Sequence, residues 1–313
     1  MGIMFIKNRS TLIVAAAIFS LVLSACSSSE EVANSPESTT ISGQVVIVHA
    51  AFYPLEFLAK SIGGDQVQVI SLTTPGAEPH DLELTPVQVA ELEKTSLALF
   101  IDGFMPAVDE AIESQIPDRA LDLGQSVTLL ESAGPEVETY GAFDPHIWLD
   151  PANMILMANA ISERLISIDP DRADYYATNT KAINSELAAL DKEFTAGLAN
   201  CELKEIVTSH DAFGYLANAY GFTQHGIAGL SPESEPSPAR LVEIAEMVKA
   251  EGITTIYYET LVSPAIAQTV ADETGATVAV LDPIEGLIEG STDTFITVMK
   301  ANLQALIKGQ TCS

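Results

Sequence analysis

Residues 169–199, DPDRADYYATNTKAINSELAALDKEFTAGLA, predict one long helix in the middle of the chain. Pro170 begins the pattern, and neither glycine nor proline follows before Gly197. Apolar side chains recur at helical spacing, among them Tyr175, Ile183, Leu187, Leu190 and Phe194. At 1.5 Å per residue the helix would be about 40 Å long. It is therefore expected to be a rigid connector between two halves rather than a flexible linker.

Both halves alternate short β-branched runs with helical patterns. In the first half, strands are predicted at 45–48, 67–72 and 97–101, and helices at 53–59, 86–94 and 151–168. In the second, strands are predicted at 206–208, 253–258 and 277–281, and helices at 212–220, 239–250, 265–274 and 292–307. This alternation predicts an α/β fold of two similar lobes, 44–168 and 200–313, each a mainly parallel sheet flanked by helices.

The start of the chain is typical of an exported protein. Two basic and no acidic residues precede the apolar run 11–25, which is shorter than the roughly 20 residues of a membrane span. The sequence LSAC at 23–26 resembles a bacterial lipobox, in which Cys26 would be acylated. We therefore expect a signal peptide over 1–25 and a disordered tether over 26–43, which is rich in Ser, Glu, Thr and Pro.

Two cysteines remain in the body of the chain, Cys201 and Cys312. In an exported protein such a pair predicts one disulfide, here pinning the C-terminus. Two free buried thiols are the alternative.

The chain is strongly acidic, with 14 basic and 43 acidic residues and a net charge of −29. This charge excludes non-specific nucleic-acid binding, which needs the opposite sign. It would concentrate cations near a cleft, but a solvated acidic surface is expected to be the larger cause of the charge.

Three potential metal ligands follow predicted strands. His80, His210 and Asp282 lie where ligands collect in α/β sheets, just beyond the carboxyl ends of strands. Histidine and carboxylate together suit zinc, but the sequence has neither HExxH nor paired CxxC, and loop histidines are often structural. These positions alone leave both interpretations open.

Five separate strings resemble one family. They are PGAEPHDLELTP (75–86), DPHIWLDP (144–151), SHDAFGYL (209–216), SPESEPSP (231–238) and LDP (281–283). In this order, from about residue 45 to the C-terminus, they are similar to the zinc/manganese class of ABC-transporter solute-binding lipoproteins, of the zinc-uptake type.

The resemblance implies a metal site in the cleft between two lobes joined by a rigid helix. The expected ligands are His80 and His146 from the N-terminal lobe with His210 and Asp282 from the C-terminal lobe. The cargo would be zinc, the partner an ABC membrane permease, and the receptor a monomer held on the periplasmic or outer face of the membrane.

Residue 210 distinguishes the metals within this family. Manganese-type members usually have a glutamate there, so His210 favours zinc, and a manganese or iron receptor is the alternative. Many zinc-type members have a histidine-rich loop before the second ligand. Residues 123–143 contain no histidine and offer Glu131, Glu136 and Glu138 instead, either to attract cations or simply as a solvated loop.

Further polar residues flank the expected ligands. Glu259, Asp211 and Glu78 are candidates to orient metal-bound histidines through the second ring nitrogen. His49 and His225 match no ligand position and are expected to be structural or exposed, and Trp148 is expected to pack beside the site.

Two other functions compete with metal capture as interpretations of the sequence. A zinc-dependent hydrolase would use Glu259 or Glu78 as general base, but four protein ligands leave no open position for water. Adhesion to a matrix partner would be an additional role that nothing in the sequence excludes.

Overall fold

The computed structural model describes residues 45–132 and 142–313. The predicted signal peptide, Cys26, the tether, Glu136 and Glu138 lie outside the described residues. No helix within the described ranges is both long and apolar enough to cross a bilayer.

The first sheet contains four parallel strands in the order β2-β1-β3-β4. They are β1 Val46–Ala50, β2 Val67–Ser71, β3 Leu97–Phe100 and β4 Ala120–Asp122. The helices of this half are α1 Tyr53–Gly63, α2 Pro86–Leu92, α3 Pro106–Gln115 and α4 Pro151–Ile168. The two strands at the centre of the sheet are almost fully buried, as near-continuous apolar runs predict.

Local caps explain where two of these helices begin. Thr85 and Gln88 form a capping box at the start of α2, and the Asp150 side chain accepts the Ala152 N–H at the start of α4. Pro86 and Pro151 occupy the first helical positions, where no N–H is needed.

The predicted connector is helix α5, Ala173–Gly197, preceded by the 3₁₀ turn Pro170–Arg172. With 25 residues it is about 37 Å long. Its buried face includes Ile183, Leu187, Leu190 and Phe194 as predicted, but Tyr176 rather than Tyr175 at its first turn. Tyr175 is exposed, and its hydroxyl donates to Asp65.

The second sheet repeats the order of the first, β6-β5-β7-β8, again all parallel. Its strands are β5 Glu205–Thr208, β6 Thr223–Gly226, β7 Thr255–Tyr258 and β8 Thr277–Val280. Its helices are α6 Gly214–Tyr220, α7 Pro238–Glu251, α8 Ala265–Thr274 and α9 Phe295–Gly309. Two similar parallel sheets and one long helix confirm the predicted fold class.

Among the α-helices and strands of the described residues, α3, β4 and β6 were not predicted. The strands β4 and β6 lie at the edges of their sheets, and β6 has the sequence TQHG, which lacks the apolar alternation of a buried strand. Helix α3 is half polar, so its pattern is weak.

The main hydrophobic core is continuous across the two halves. One cluster of buried side chains contains Val48 and Trp148 from the first half, Leu187 from α5, and Phe213 and Leu306 from the second. A smaller cluster lies between β7 and helices α7 and α8. Residues 44–313 form one compact unit, so the lobe boundaries at 168 and 199 stay a prediction.

A disulfide joins Cys201 to Cys312. Cys201 follows α5 and Cys312 follows α9, so the bond connects both ends of the second half. Backbone hydrogen bonds support the same junction, with the Leu203 N–H donating to the Gln310 carbonyl at 3.2 Å.

Candidate metal centre

His80 lies in the loop between β2 and α2. Its backbone N–H donates to Glu78 Oε1 at 3.1 Å, and its ring meets the Phe104 ring edge-on with centroids 4.6 Å apart. Only 2% of the residue is exposed. The loop and the Phe104 ring therefore hold the His80 imidazole inside the protein.

His146 lies just before the 3₁₀ turn Ile147–Leu149 that leads into α4. Asp144 Oδ1 is 2.7 Å from the ring Nδ1 and also accepts the backbone N–H of His146 at 2.9 Å. The carbonyl of Asp144 in turn accepts the Tyr215 hydroxyl at 2.9 Å. With Nδ1 donating to the carboxylate, Nε2 is left free to bind a metal.

His210 follows β5 and is held from two sides. Its ring Nδ1 is 2.9 Å from Glu259 Oε1, at the end of β7. Its carbonyl accepts both the Thr208 hydroxyl at 2.7 Å and the Gln224 amide at 3.0 Å. The carboxyl ends of neighbouring strands thus supply one ligand and the group that orients it.

Glu285 brings the three imidazoles together. Its Oε1 is 3.4 Å from His80 Nε2, 3.5 Å from His146 Nε2 and 3.2 Å from His210 Nε2. One ligand atom from each of the four residues lies within 4.8 Å of the others, and all four residues are buried. Three nitrogens and one carboxylate oxygen at this spacing form a donor set for zinc.

Two nitrogen atoms support this interpretation. The Nε2 atoms of His146 and His210 are buried, and their contacts with Glu285 Oε1, at 3.5 and 3.2 Å, lack hydrogen-bond geometry; the described residues offer them no other hydrogen-bond partner. Buried polar atoms normally have a partner, so these two nitrogens fit a metal ion as their partner.

Asp282, predicted as the fourth ligand, lies outside this group. Its Oδ1 accepts the Ile284 N–H at 2.7 Å, and its Oδ2 accepts the Thr260 hydroxyl. The chain then turns at Ile284, whose φ is +59°, and this turn brings Glu285 to the histidines. The prediction placed the ligand directly after strand β8, but that first carboxylate caps the turn, and the carboxylate three residues later lies at the site.

The candidates for orienting the histidines separate in the structure. Glu259 contacts the His210 ring, whereas Glu78 binds the His80 backbone. Asp211 turns away and accepts the Gly226 N–H at 2.8 Å. Asp144 was not predicted, although its place two residues before His146 is a signal, since aspartate readily binds nearby backbone N–H groups.

The two other histidines lie outside the four-residue group. His49 is buried within β1, and burial lowers its pKa. His225, on the edge strand β6, lies 2.6 Å from Glu205 Oε2 and is partly exposed.

Burial and opposite charges shift the pKa values at the site. Burial lowers the pKa of His80. For His210, Glu259 and Glu285 outweigh burial and raise the pKa well above its usual value. For Glu285, the neighbouring imidazoles outweigh burial and hold the pKa well below its usual value. The opposite shifts of Glu285 and His210 favour an ion pair between these two residues.

The pKa values of His146 and Glu78 are also raised. Asp144 outweighs burial and raises the pKa of His146. Burial, with a contribution from the charge of Glu285, raises the pKa of Glu78 to about 8.

A family model described as "Zinc-uptake complex component A periplasmic" matches residues 48–309. The high-affinity zinc uptake system protein ZnuA of Bacillus subtilis is 34% identical, with 96% of this chain and 97% of that protein aligned. The zinc-binding lipoprotein AdcA of Streptococcus pneumoniae is also 34% identical, over 93% of this chain but only 59% of its own length.

Solved structures agree with these relatives. The laminin binding protein Lmb of Streptococcus agalactiae, described as bifunctional with adhesin and metal transporting activity, has a TM-score of 0.77 at 31% identity, covering 85% of this chain and 100% of that one. The Zn(II)-bound ZnuA-like domain of Streptococcus pneumoniae AdcA has a TM-score of 0.74 at 33% identity, covering 85% and 99%. The chain belongs to the family of the zinc-uptake complex component A.

Proposed function

We propose that this protein captures zinc outside the cytoplasm and delivers it to an ABC-type importer. The observation that carries the proposal is the buried group of four ligand atoms from His80, His146, His210 and Glu285, all within 4.8 Å of one another. Membership of a zinc-uptake family supports the identity of the metal and implies a permease partner.

In this proposal two carboxylates that do not bind the metal, those of Asp144 and Glu259, orient two of the ligands. Asp144 and Glu259 each contact the Nδ1 atom of a histidine, His146 and His210 respectively. Such contacts fix the tautomer and increase the basicity of the metal-binding nitrogen. Three imidazoles among the four donors favour zinc over manganese, which prefers oxygen ligands.

The family is one of binding components for metal uptake, so this chain is a binding protein and not an enzyme. The site agrees with that role, since four protein ligands would complete a tetrahedral shell and leave no place for an activated water. The carboxylates that a hydrolase would need as general bases have other contacts: Glu259 binds the His210 ring, and Glu78 binds the backbone of His80.

The cellular arrangement is also a proposal. Relatives are named as periplasmic or lipoprotein components, which supports export of this chain. We infer that residues 1–25 are removed, that Cys26 is acylated, and that residues 26–43 tether a monomeric receptor to the membrane surface. Mass spectrometry of the protein from its membrane fraction would test the acylation of Cys26.

Two substitutions test the ligand set. Glu285→Gln in the purified full-length protein should weaken zinc binding by more than about 100-fold. This is a larger loss than removal of a residue that only orients a ligand causes. Asp282→Asn should weaken it less than about tenfold, since the amide oxygen still accepts the Ile284 N–H. Chelator competition measures both affinities, and manganese is titrated in parallel.

An equal loss in both variants would make Asp282 a ligand and refute the proposed set. If the wild-type protein failed to bind one equivalent of zinc, the proposed function would be refuted. If it bound manganese more tightly than zinc, the proposed metal would be refuted.

A further inference from the structure

Trp148 connects the first half of the chain to the loop that carries Glu285. It is the only tryptophan in the sequence, and its side chain is fully buried. Its ring lies 4.7 Å from that of Phe52 and 5.3 Å from that of His146, between centroids. The indole N–H donates to the Pro283 carbonyl at 2.6 Å, across 135 residues of sequence.

The turn that carries Glu285 has an unfavourable backbone conformation. Ile284 has a φ of +59°, which is rare for a β-branched residue, so this turn persists only if its surroundings hold it. The second half holds it through Asp282. The Asn302 side chain accepts the Asp282 N–H at 2.8 Å and donates to its carbonyl at 2.7 Å.

The first half holds the same turn on both sides of Glu285. Two residues before it, the Pro283 carbonyl accepts the Trp148 indole N–H. Two residues after it, the Leu287 carbonyl accepts the Gly76 N–H at 2.8 Å, and Gly76 belongs to the loop that carries His80. The Glu285 backbone is therefore anchored to the half of the protein that supplies two histidines.

We propose that Trp148 is a positioning residue for the metal site, whose hydrogen bond to Pro283 holds the Glu285 carboxylate against the three histidines. The inference rests on the proposed ligand set and adds a residue that contacts no metal. The Pro283–Glu285 turn then becomes one of the contacts that couple the two halves at the site, beside the Tyr215 hydroxyl that donates to the Asp144 carbonyl. Trp148 acts on zinc through Glu285, in addition to filling the core.

The alternative is that Trp148 only packs in the core, and a double-mutant cycle separates the two roles. Trp148→Phe should weaken zinc binding about three- to tenfold in the wild-type background, the usual effect of one lost hydrogen bond. In the Glu285→Gln background it should change affinity less than about twofold, because the group it positions is gone.

The matched control is Tyr176→Phe, which also removes one hydrogen bond from a fully buried aromatic residue, that of the Tyr176 hydroxyl to Asp169. It should leave zinc affinity unchanged in both backgrounds. If the melting temperature shows that Trp148→Phe does not fold, 3-benzothienylalanine at position 148 replaces it. That side chain has sulfur in place of the indole N–H and keeps the shape of the ring.

Each outcome decides the inference. An equal loss in both backgrounds, or none in the wild type, would overturn the positioning role while leaving the ligand set intact. If Glu285→Gln alone bound zinc like the wild type, the ligand set of the proposed function would fail, and the role of Trp148 with it.

Discussion

Carboxylates surround the proposed metal ligands, but they act on different atoms. Asp144 and Glu259 contact imidazole rings, whereas Glu78 accepts a backbone N–H, and Asp282 forms the turn that carries the fourth ligand. An acidic residue beside a ligand in the sequence therefore has no fixed role. Its role depends on whether a ring nitrogen or a peptide N–H is nearer to its oxygen atoms.

Zinc binding should depend steeply on pH. The pKa values of His146 and, more strongly, His210 are raised, so zinc must compete with protons for these rings at a higher pH than it would for an ordinary histidine. Affinity should then begin to fall above pH 6.5 and continue to fall as the pH decreases. Isothermal titration calorimetry in buffers of different ionisation enthalpy measures the protons released. Equal affinity at pH 7.5 and pH 5 would contradict a three-histidine site.

At the scale of elements, parallel strands collect the site at one edge of the second sheet. His210, Glu259 and Glu285 follow β5, β7 and β8 respectively, at their carboxyl ends. The first half supplies its histidines from loops, after β2 and before α4. Ligands from strand ends and loops of both halves explain why no local metal motif exists in the sequence.

Helix α3 contains a partly buried acid, Asp109, whose removal should change how stability depends on pH. Burial raises the pKa of Asp109 to about 7, with smaller contributions from Asp102 and Asp122, and its Oδ2 accepts the Gly103 N–H. The unfolded pKa is about 3.9. Because the folded value is higher, the wild type loses stability as the pH rises from about 4 to about 7.

Asp109→Asn should remove this loss. The free energy of unfolding of the variant, compared with that of the wild type, should therefore be larger at pH 8 than at pH 5. Urea unfolding of the metal-free protein at both values measures the difference. The control is Glu110→Gln, an exposed position on the same helix. A stability difference between Asp109→Asn and wild type that is the same at both pH values would contradict the shifted pKa.

At the scale of the whole molecule, the disulfide and the metal site lie at opposite ends of β5. Cys201 precedes this strand and His210 follows it. The Cys201–Cys312 bond closes a segment of 111 residues that contains the whole second sheet. It should therefore stabilise the second half without shaping the site.

Replacing both cysteines by serine should lower the free energy of unfolding by about 2–5 kcal/mol. Zinc affinity should stay within about twofold, since no ligand lies near the bond. Chemical unfolding and chelator competition on the same samples measure the two quantities. A tenfold loss of zinc affinity would show that the bond supports the site.

The sequence alone determined much of this protein. Periodicity over 169–199 predicted the long helix, and alternation on both sides predicted two parallel sheets, because apolar spacing follows the repeat of each element. Three of the four residues in the buried group, His80, His146 and His210, were chosen from strand ends and from strings that resemble a known family.

Only the tertiary structure decided the fourth residue and the groups that hold it. The choice between Asp282 and Glu285 depends on a turn at Ile284 with positive φ. That turn is held by Asn302 of the following helix and by Trp148, which is 135 positions away from Pro283 in the sequence. Short-range patterns report which elements form. They do not report which carboxylate a turn directs inward, because that direction depends on packing between residues more than a hundred positions apart.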